Sequence, residues 1–323
     1  MRAIRFHQFG DADQLALETV RDPTPPPGEA CVRVEVAGVN YIDTYHREGL
    51  YPVDLPCIPG VEGAGTIVAL GEGVAGFSPG DRVAWAGPMG AYAELVSLPA
   101  GQLVPVPEGV TAETAAAVML QGMTAHYLSH DSFPLESGHT VLIHAGAGGV
   151  GLLLIQMAKQ RGARVLTTVS TAEKETLARE AGADEVIRYT DCDFAEETMR
   201  LTDDKGVDVI YDSVGRSTFE AGLGILRPRG HMVLFGQSSG PVPPVDPGLL
   251  CTSGSLFLTR PTLAHYIPDR KALLARAGEV FGMLESDHLK LRIGGRYPLS
   301  QAAEAHRDLQ GRRTTGKLLL TID

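Results

Sequence analysis

The segment His144-Ala-Gly-Ala-Gly-Gly-Val-Gly151 places glycines in the spacing Gly146-x-Gly148-x-x-Gly151, after an apolar run and before an amphipathic one. Small residues let a backbone approach a pyrophosphate, and the start of a following helix offers amides and a positive dipole end. Gly146, Gly148, Gly149, Val150 and Gly151 are therefore candidate ligands for a dinucleotide. Without a ligand, the same residues make a tight strand–helix turn. The strand before, the helix after and the repeated units that follow favour binding. About twenty residues further on, NAD sites carry an acid for the ribose hydroxyls. This chain reads Thr167-Thr-Val-Ser-Thr-Ala-Glu-Lys174, with no acid at the strand end. Ser170 and Lys174 suit the 2′-phosphate of NADPH, although Lys174 alone reads equally well as a solvated helix lysine.

These residues need a parallel α/β framework, and the middle of the chain supplies one. Thr140–Ala145 reads as a strand, Gly149–Arg161 as an amphipathic helix stopped by Gly162, Arg164–Ser170 as the next strand, and Ala172–Ala181 as a helix ended by Gly182. Val186–Tyr189, Val207–Tyr211 and His231–Phe235 continue the series, so a parallel sheet covered on both faces is expected. The first third differs. Cys31–Ala37 alternates apolar and polar residues, Gly65–Leu70 and Asp81–Trp85 are further strands, and Pro23, Pro25, Pro26, Pro27 and Gly28 break the chain ahead of one of them. That pattern predicts a compact β-barrel-like domain. Ala112–His130 is alanine-rich and helical with Thr111 as its cap, and Asp269–Glu285 is a second long helix. The final strand, Gly316–Ile322, has no place in the parallel series and is expected to return to the first domain.

The composition narrows the class. At 323 residues the chain is long enough for two domains, and its net charge of −11 disfavours general binding to nucleic acid. No apolar leader is visible after Met1 and no run approaches a membrane span. Cys31, Cys57, Cys192 and Cys251 lie far apart and read as reduced thiols of a cytoplasmic protein.

Seven motifs together resemble the medium-chain dehydrogenase/reductase superfamily, in its quinone oxidoreductase branch that includes zeta-crystallin. They are Gly38-Val-Asn-Tyr-Ile-Asp-Thr-Tyr, Pro59-Gly-Val-Glu-Gly-Ala-Gly, Gly80-Asp-Arg-Val, Leu120-Gln-Gly-Met-Thr-Ala, Ala145-Gly-Ala-Gly-Gly-Val-Gly, Tyr211-Asp-Ser-Val-Gly and Arg312-Arg-Thr-Thr-Gly-Lys. The resemblance implies a GroES-like, mainly β substrate domain from residues 1–122 and 262–323, and a Rossmann NADPH-binding domain over 123–261. It also implies a reaction cleft between the two and a homodimer through the last Rossmann strand, within Gly254–Arg260.

The resemblance also implies site residues. Asn40, Asp43, Tyr45 and Tyr51 share one polar loop, from which Asn40 binds the nicotinamide or its ribose and Asp43 also contacts the cofactor, while Tyr45 and Tyr51 meet the acceptor. Ordinary loop packing is the alternative for the tyrosines. Thr124 and Tyr127, at the start of a helix, line the nicotinamide end, although Tyr127 also suits helix packing. Tyr189 and Arg312 join Ser170 and Lys174 near the adenosine phosphate, with Arg313 an ambiguity of one residue. Ser213, Phe235, Gly236, Phe257 and Arg260 follow the later strands on the cofactor side, and core packing is the stronger account of Phe257. His144 reads as a buried structural histidine and Cys57 as inert. Zinc-dependent relatives place Cys and His ligands where this chain has Asn40 and Val61, so no catalytic zinc is expected. The implied reaction is hydride delivery from NADPH to a quinone or a related conjugated carbonyl, the proton coming from Tyr45, bound water or solvent. Reduction of an enoyl thioester or alkenal fits the same residues. A cofactor-sensing or RNA-binding role with little catalysis is the alternative of another class.

Overall fold

A computed structural model describes residues 1–322, divided between two compact units. The first comprises Met1–Met123, Ile267–Asp287 and the chain from Leu291 on. The second comprises Thr124–Tyr266 and His288–Lys290. No helix among the described residues is long and apolar enough to cross a membrane.

The first unit opens with β1 (Arg2–Arg5) and β2 (Ala16–Thr19), an antiparallel pair. The long β3 (Glu29–Val39) follows, then helix α1 (Tyr41–Arg47) and strands β4 (Glu62–Leu70), β5 (Arg82–Ala86), β6 (Leu95–Pro99) and β7 (Val104–Pro105), and then α2 (Ala112–Tyr127), whose last residues, from Thr124, belong to the second unit. Along β3 the alternation read in the sequence becomes alternation of burial, with Val32 and Val34 inside and Arg33 and Glu35 outside. Trp85, Tyr92, Ile67 and Leu98 fill the core against it. A π-type turn over Leu128–Ser132 follows α2, so the regular helix stops short of the expected His130.

The second unit carries β8 (Thr140–Ile143), α3 (Gly149–Gln160), β9 (Arg164–Val169), α4 (Ala172–Glu180), β10 (Glu185–Arg188), α5 (Phe194–Leu201), β11 (Val207–Asp212), α6 (Phe219–Leu223), β12 (Leu226–Leu234), α7 (Pro247–Thr252) and β13 (Phe257–Thr259). Its six strands are all parallel, in the order β10-β9-β8-β11-β12-β13. That is the doubly wound Rossmann order, which reverses between β8 and β11 and so directs ligands to the carboxyl ends of the strands there. Thr171, Asp193 and Asp246 cap α4, α5 and α7 with their side chains. The start of α3 has no such cap.

The chain ends with α8 (Arg270–Glu285), β14 (Ile293–Pro298), α9 (Ala302–Gln310) and β15 (Lys317–Thr321). Strand β15 pairs antiparallel with β3, Leu318 opposite Val39, and so completes the larger sheet of the first unit, β14-β15-β3-β4-β5-β7 with β6 on β3. The final strand thus returns to the first domain, as its misfit with the parallel series implies.

Candidate active site

The glycine turn of the second unit is built so that only hydrogen fits at its key positions. A Cβ on Gly146 would lie 2.0 Å from Thr167 Oγ1, which donates to the Ile143 carbonyl at 2.6 Å. A Cβ on Gly151 would lie 2.3 Å from the Ala145 carbonyl oxygen and 2.9 Å from Gly146 Cα. Gly148 is the N-cap of α3 and supplies no side chain to its amides, which leaves the first N–H groups of the helix to an external acceptor. A backbone cradle and an uncapped helix start are what a pyrophosphate requires. His144 beside the turn is buried, its Nδ1 2.9 Å from Thr168 Oγ1, in keeping with a structural role.

The ends of β9 and β10 lie side by side. Arg188 is in register with Val169, the Tyr189 amide donates to the Val169 carbonyl at 3.1 Å, and Thr190 Oγ1 donates to the Ser170 carbonyl at 3.0 Å. Ser170 and Tyr189 are thereby brought together, Tyr189 with 41% of its surface exposed. Lys174 follows one turn into α4, its amide held by the Thr171 cap at 3.3 Å. Two nearby carboxylates are engaged elsewhere, Glu175 with Arg179 and Arg188, and Asp191 with Arg188. No acid stands at the end of β9, so the group that would hold ribose hydroxyls and repel a 2′-phosphate is missing from that position.

The remaining strand ends are tied to one another. Asp212, fully buried, accepts from the amides of Val214 at 2.6 Å and Gly215 at 3.0 Å, while its carbonyl takes the amides of Phe235 and Gly236. A Cβ on Gly236 would meet the Ser213 carbonyl oxygen at 2.6 Å, so Ser213, Phe235 and Gly236 are in close backbone approach. Arg260 donates to the Leu234 carbonyl at 2.9 Å. Phe257 corrects the core reading. It is half exposed on β13, the last strand of the sheet, with its ring stacked on His231 at 4.4 Å.

In the first unit the expected loop around Asn40 is instead the start of α1, with Asn40 as its N-cap. Asp43 lies inside it, fully buried, accepting from the Asn40 amide at 2.8 Å, the Val61 amide at 3.2 Å and the Tyr92 hydroxyl at 3.1 Å. A carboxylate sealed in this way cannot touch a cofactor, so Asp43 is a support of Asn40 and not a cofactor ligand. Burial pushes Asp43 up to about 7, against the Asn40 amide, the Lys317 charge, the Tyr92 hydroxyl and the Val61 amide, all of which hold it down. Tyr45 is buried, its ring edge-on to that of the partly exposed Tyr51 at 5.5 Å. In the second unit, Thr124 and Tyr127 lie at the end of α2 and not at a helix start. Tyr127 is buried and stacked on Tyr266 at 4.2 Å, which is the packing role. Arg312 sits exposed after α9 with φ of 57°, and the neighbouring Arg313 is bound to Asp308 at 2.5 Å.

Asn40 stands in a buried polar cluster whose other members carried no assigned role in the sequence. Its Oδ1 accepts from Lys317 Nζ at 2.8 Å and from Gln121 Nε2 at 3.2 Å, and its Nδ2 donates to Glu62 Oε2 at 2.8 Å. Lys317 also pairs with Glu62, and Glu62 Oε1 accepts the Leu120 amide at 2.6 Å. Behind Asp43, Tyr92 meets His306 Nε2 at 3.1 Å, and His306 Nδ1 meets Arg47 Nη1 at 3.1 Å. Burial, and then the charge of Arg47, push His306 down to about 3. Glu62 and Lys317 both fall within quoted motifs, which was the available signal. Tyr92 and His306 had none.

Residues 26–108 match the alcohol dehydrogenase GroES-like domain and residues 149–267 the zinc-binding dehydrogenase domain. The chain is 46% identical to a quinone oxidoreductase of Pseudomonas aeruginosa over 99% of each chain. It is 38% identical to a 2-haloacrylate reductase of a Burkholderia species, over 98% of this chain and 97% of that one. The structure of Escherichia coli quinone oxidoreductase complexed with NADPH superposes with a TM-score of 0.97 at 40% identity, over 99% of this chain and 100% of that one. With a Rossmann sheet, a GroES-like unit and full-length identity of this order, the chain belongs to the quinone oxidoreductase branch of the medium-chain dehydrogenase/reductase superfamily.

Proposed function

We propose that this chain is an NADPH-dependent quinone oxidoreductase, with residues 123–261 as the cofactor domain and residues 1–122 and 262–323 as the substrate domain. The observation that carries the reading is the uncapped, glycine-built start of α3 beside a β9 end that bears Ser170, Lys174 and Tyr189 and no acid. Gly146, Gly148, Gly149, Val150 and Gly151 would hold the pyrophosphate, and Ser170, Lys174, Tyr189 and Arg312 the 2′-phosphate. Ser213, Phe235, Gly236, Phe257 and Arg260, with Thr124, would complete the cofactor's binding surface. When bound, the nicotinamide supplies a hydride. Asn40 orients the reacting groups through its amide, and Tyr45 and Tyr51 offer a flat acceptor two rings and their hydroxyls. The protein's contribution is position and charge, since hydride transfer itself is the cofactor's chemistry.

Mixing the protein with NADPH and 1,4-benzoquinone should consume NADPH. Failure to oxidise NADPH with any quinone or conjugated alkene refutes the reading. A second acceptor class is favoured by the 2-haloacrylate reductase among the relatives, so a conjugated acid belongs in the same assay. The reading carries with it a cytoplasmic homodimer. The edge strand β13, paired only with β12 among the described strands and bearing the half-exposed Phe257, is the surface that would join two copies. Sedimentation of the purified protein tests that.

A further inference from the structure

Lys317 ends the Arg312-Arg-Thr-Thr-Gly-Lys motif, and nothing in the proposed reaction yet uses it. Its side chain is buried with 1% of its surface exposed, and its ammonium lies on Asn40 Oδ1 and Glu62 Oε2. The register of β15 against β3, Leu318 opposite Val39, brings it there. Gly38 leaves the room. A Cβ at Gly38 would fall 2.8 Å from Lys317 Nζ and closer still to Glu62 Oε2.

The consequence is a fixed amide. Asn40 Oδ1 faces two donors, Lys317 and Gln121, and Asn40 Nδ2 faces the Glu62 carboxylate. Flipping the amide would set N–H groups against two donors and a carbonyl against a carboxylate. One Nδ2 hydrogen is taken by Glu62. The other has only the Gly38 carbonyl at 3.5 Å, the outer limit of a hydrogen bond, and is the one left for an oxygen of the bound reactants. The same ammonium also lowers Asp43, the carboxylate that holds the Asn40 backbone. A buried ion pair is a weak source of stability compared with apolar residues of the same size. What Lys317 and Glu62 provide that apolar residues cannot is the orientation of Asn40.

We propose that Lys317 is a positioning residue of the reaction, acting with Glu62 through Asn40 to present one Nδ2 hydrogen in a single direction. The proposal rests on the oxidoreductase reading above. Lys317→Met alone strands the Glu62 charge and risks unfolding, so the informative variant is Glu62→Gln/Lys317→Met, which removes both charges. In the wild type, the Asn40 side-chain amide, identified in the nitrogen-15 spectrum by its loss in Asn40→Ala, should be shielded from solvent exchange. In the double variant it should shift and exchange freely. NADPH affinity, read from nicotinamide fluorescence, should stay within about threefold because the phosphate contacts lie elsewhere, while kcat with benzoquinone should fall roughly 10- to 100-fold, the scale of a misplaced reacting group. Adding Asn40→Ala to the double variant should cost little more, because both changes remove one function.

A folded double variant with the wild-type Asn40 resonance, or with kcat within about twofold of wild type, overturns the proposal. So does a fully additive loss with Asn40→Ala. If the wild type oxidises no NADPH with any acceptor, the functional reading falls, and the Asn40 resonance alone then decides whether Lys317 orients that amide.

Discussion

Tyr92→Phe removes one oxygen from the buried chain behind α1, and its effect follows from the direction of the hydrogen bonds. A guanidinium only donates, so His306 Nδ1 accepts from Arg47 Nη1 at 3.1 Å, and His306 is the neutral tautomer with its hydrogen on Nε2. That hydrogen goes to the Tyr92 oxygen at 3.1 Å, and the Tyr92 hydroxyl donates to Asp43 Oδ2 at 3.1 Å. Every bond points toward Asp43. Without the hydroxyl, His306 Nε2–H loses its acceptor and Asp43 keeps two donors of three. A buried polar group left unsatisfied costs about 1–3 kcal/mol, so a loss of about 2–4 kcal/mol is expected. For a unit of this size that is a fall of about 5–15 °C in Tm. The pH dependence has a definite sign. The hydroxyl favours ionised Asp43, whose folded value of about 7 already lies above its ordinary one. Removing it raises that value further, so the deficit grows as pH rises and Asp43 must ionise with one donor fewer. Urea unfolding of both proteins at about pH 6 and about pH 8 reads this directly. A deficit below about 0.5 kcal/mol, or one that does not grow with pH, refutes the directed chain.

Lys174→Ala and Arg312→Ala should each weaken NADPH roughly 10- to 100-fold, the strength of a charge-assisted phosphate contact, and leave NADH nearly unchanged, as paired titrations will read. Equal losses for both cofactors would detach these residues from the 2′-phosphate. Gly151→Ala forces a methyl to within 2.3 Å of a backbone oxygen. It should cost about 2 kcal/mol or more in denaturant unfolding and abolish measurable NADPH binding, with unchanged binding as the contrary result. His306, held down at about 3, stays neutral in the fold while the unfolded chain takes up a proton below about 6.5, so its share of stability is lost as pH falls from about 6.5 toward 3. His306→Gln should flatten that acid limb, and an unchanged slope would place the acid sensitivity elsewhere.

The cofactor half was legible in the sequence because its constraints are local. Gly146, Gly148 and Gly151 sit within six residues, and the missing acid is judged at one strand end. The substrate half was read less well because its constraints are remote. Asn40 is fixed by Glu62, Gln121 and Lys317, and Asp43 by Tyr92, through pairings that only β15 returning to β3 can bring about. Asp43 was taken for a cofactor ligand because it shares a polar segment with Asn40, and a sequence does not show which acid a fold will seal. Phe257 was taken for core because an aromatic in an apolar strand usually is, and only the strand order reveals an edge.

Around Asn40 the fold buries two carboxylates, Asp43 and Glu62, and two cations, Arg47 and Lys317. Formally these charges cancel, but not within one segment. Glu62 is answered by Lys317 from the last strand, which also lowers Asp43, while Asp43 accepts from Tyr92 and Arg47 pairs with Glu48. A buried charge stripped of its partner is far more costly than the pair itself is valuable. Glu62 therefore cannot be neutralised alone without stranding Lys317, and the strands that hold this pair must keep their register. That coupling fixes Asn40 from two directions, its backbone by Asp43 and its side chain by Glu62 and Lys317. An amide held at both ends loses little freedom when it meets a ligand, which is the physical advantage of preparing a binding group before the ligand arrives.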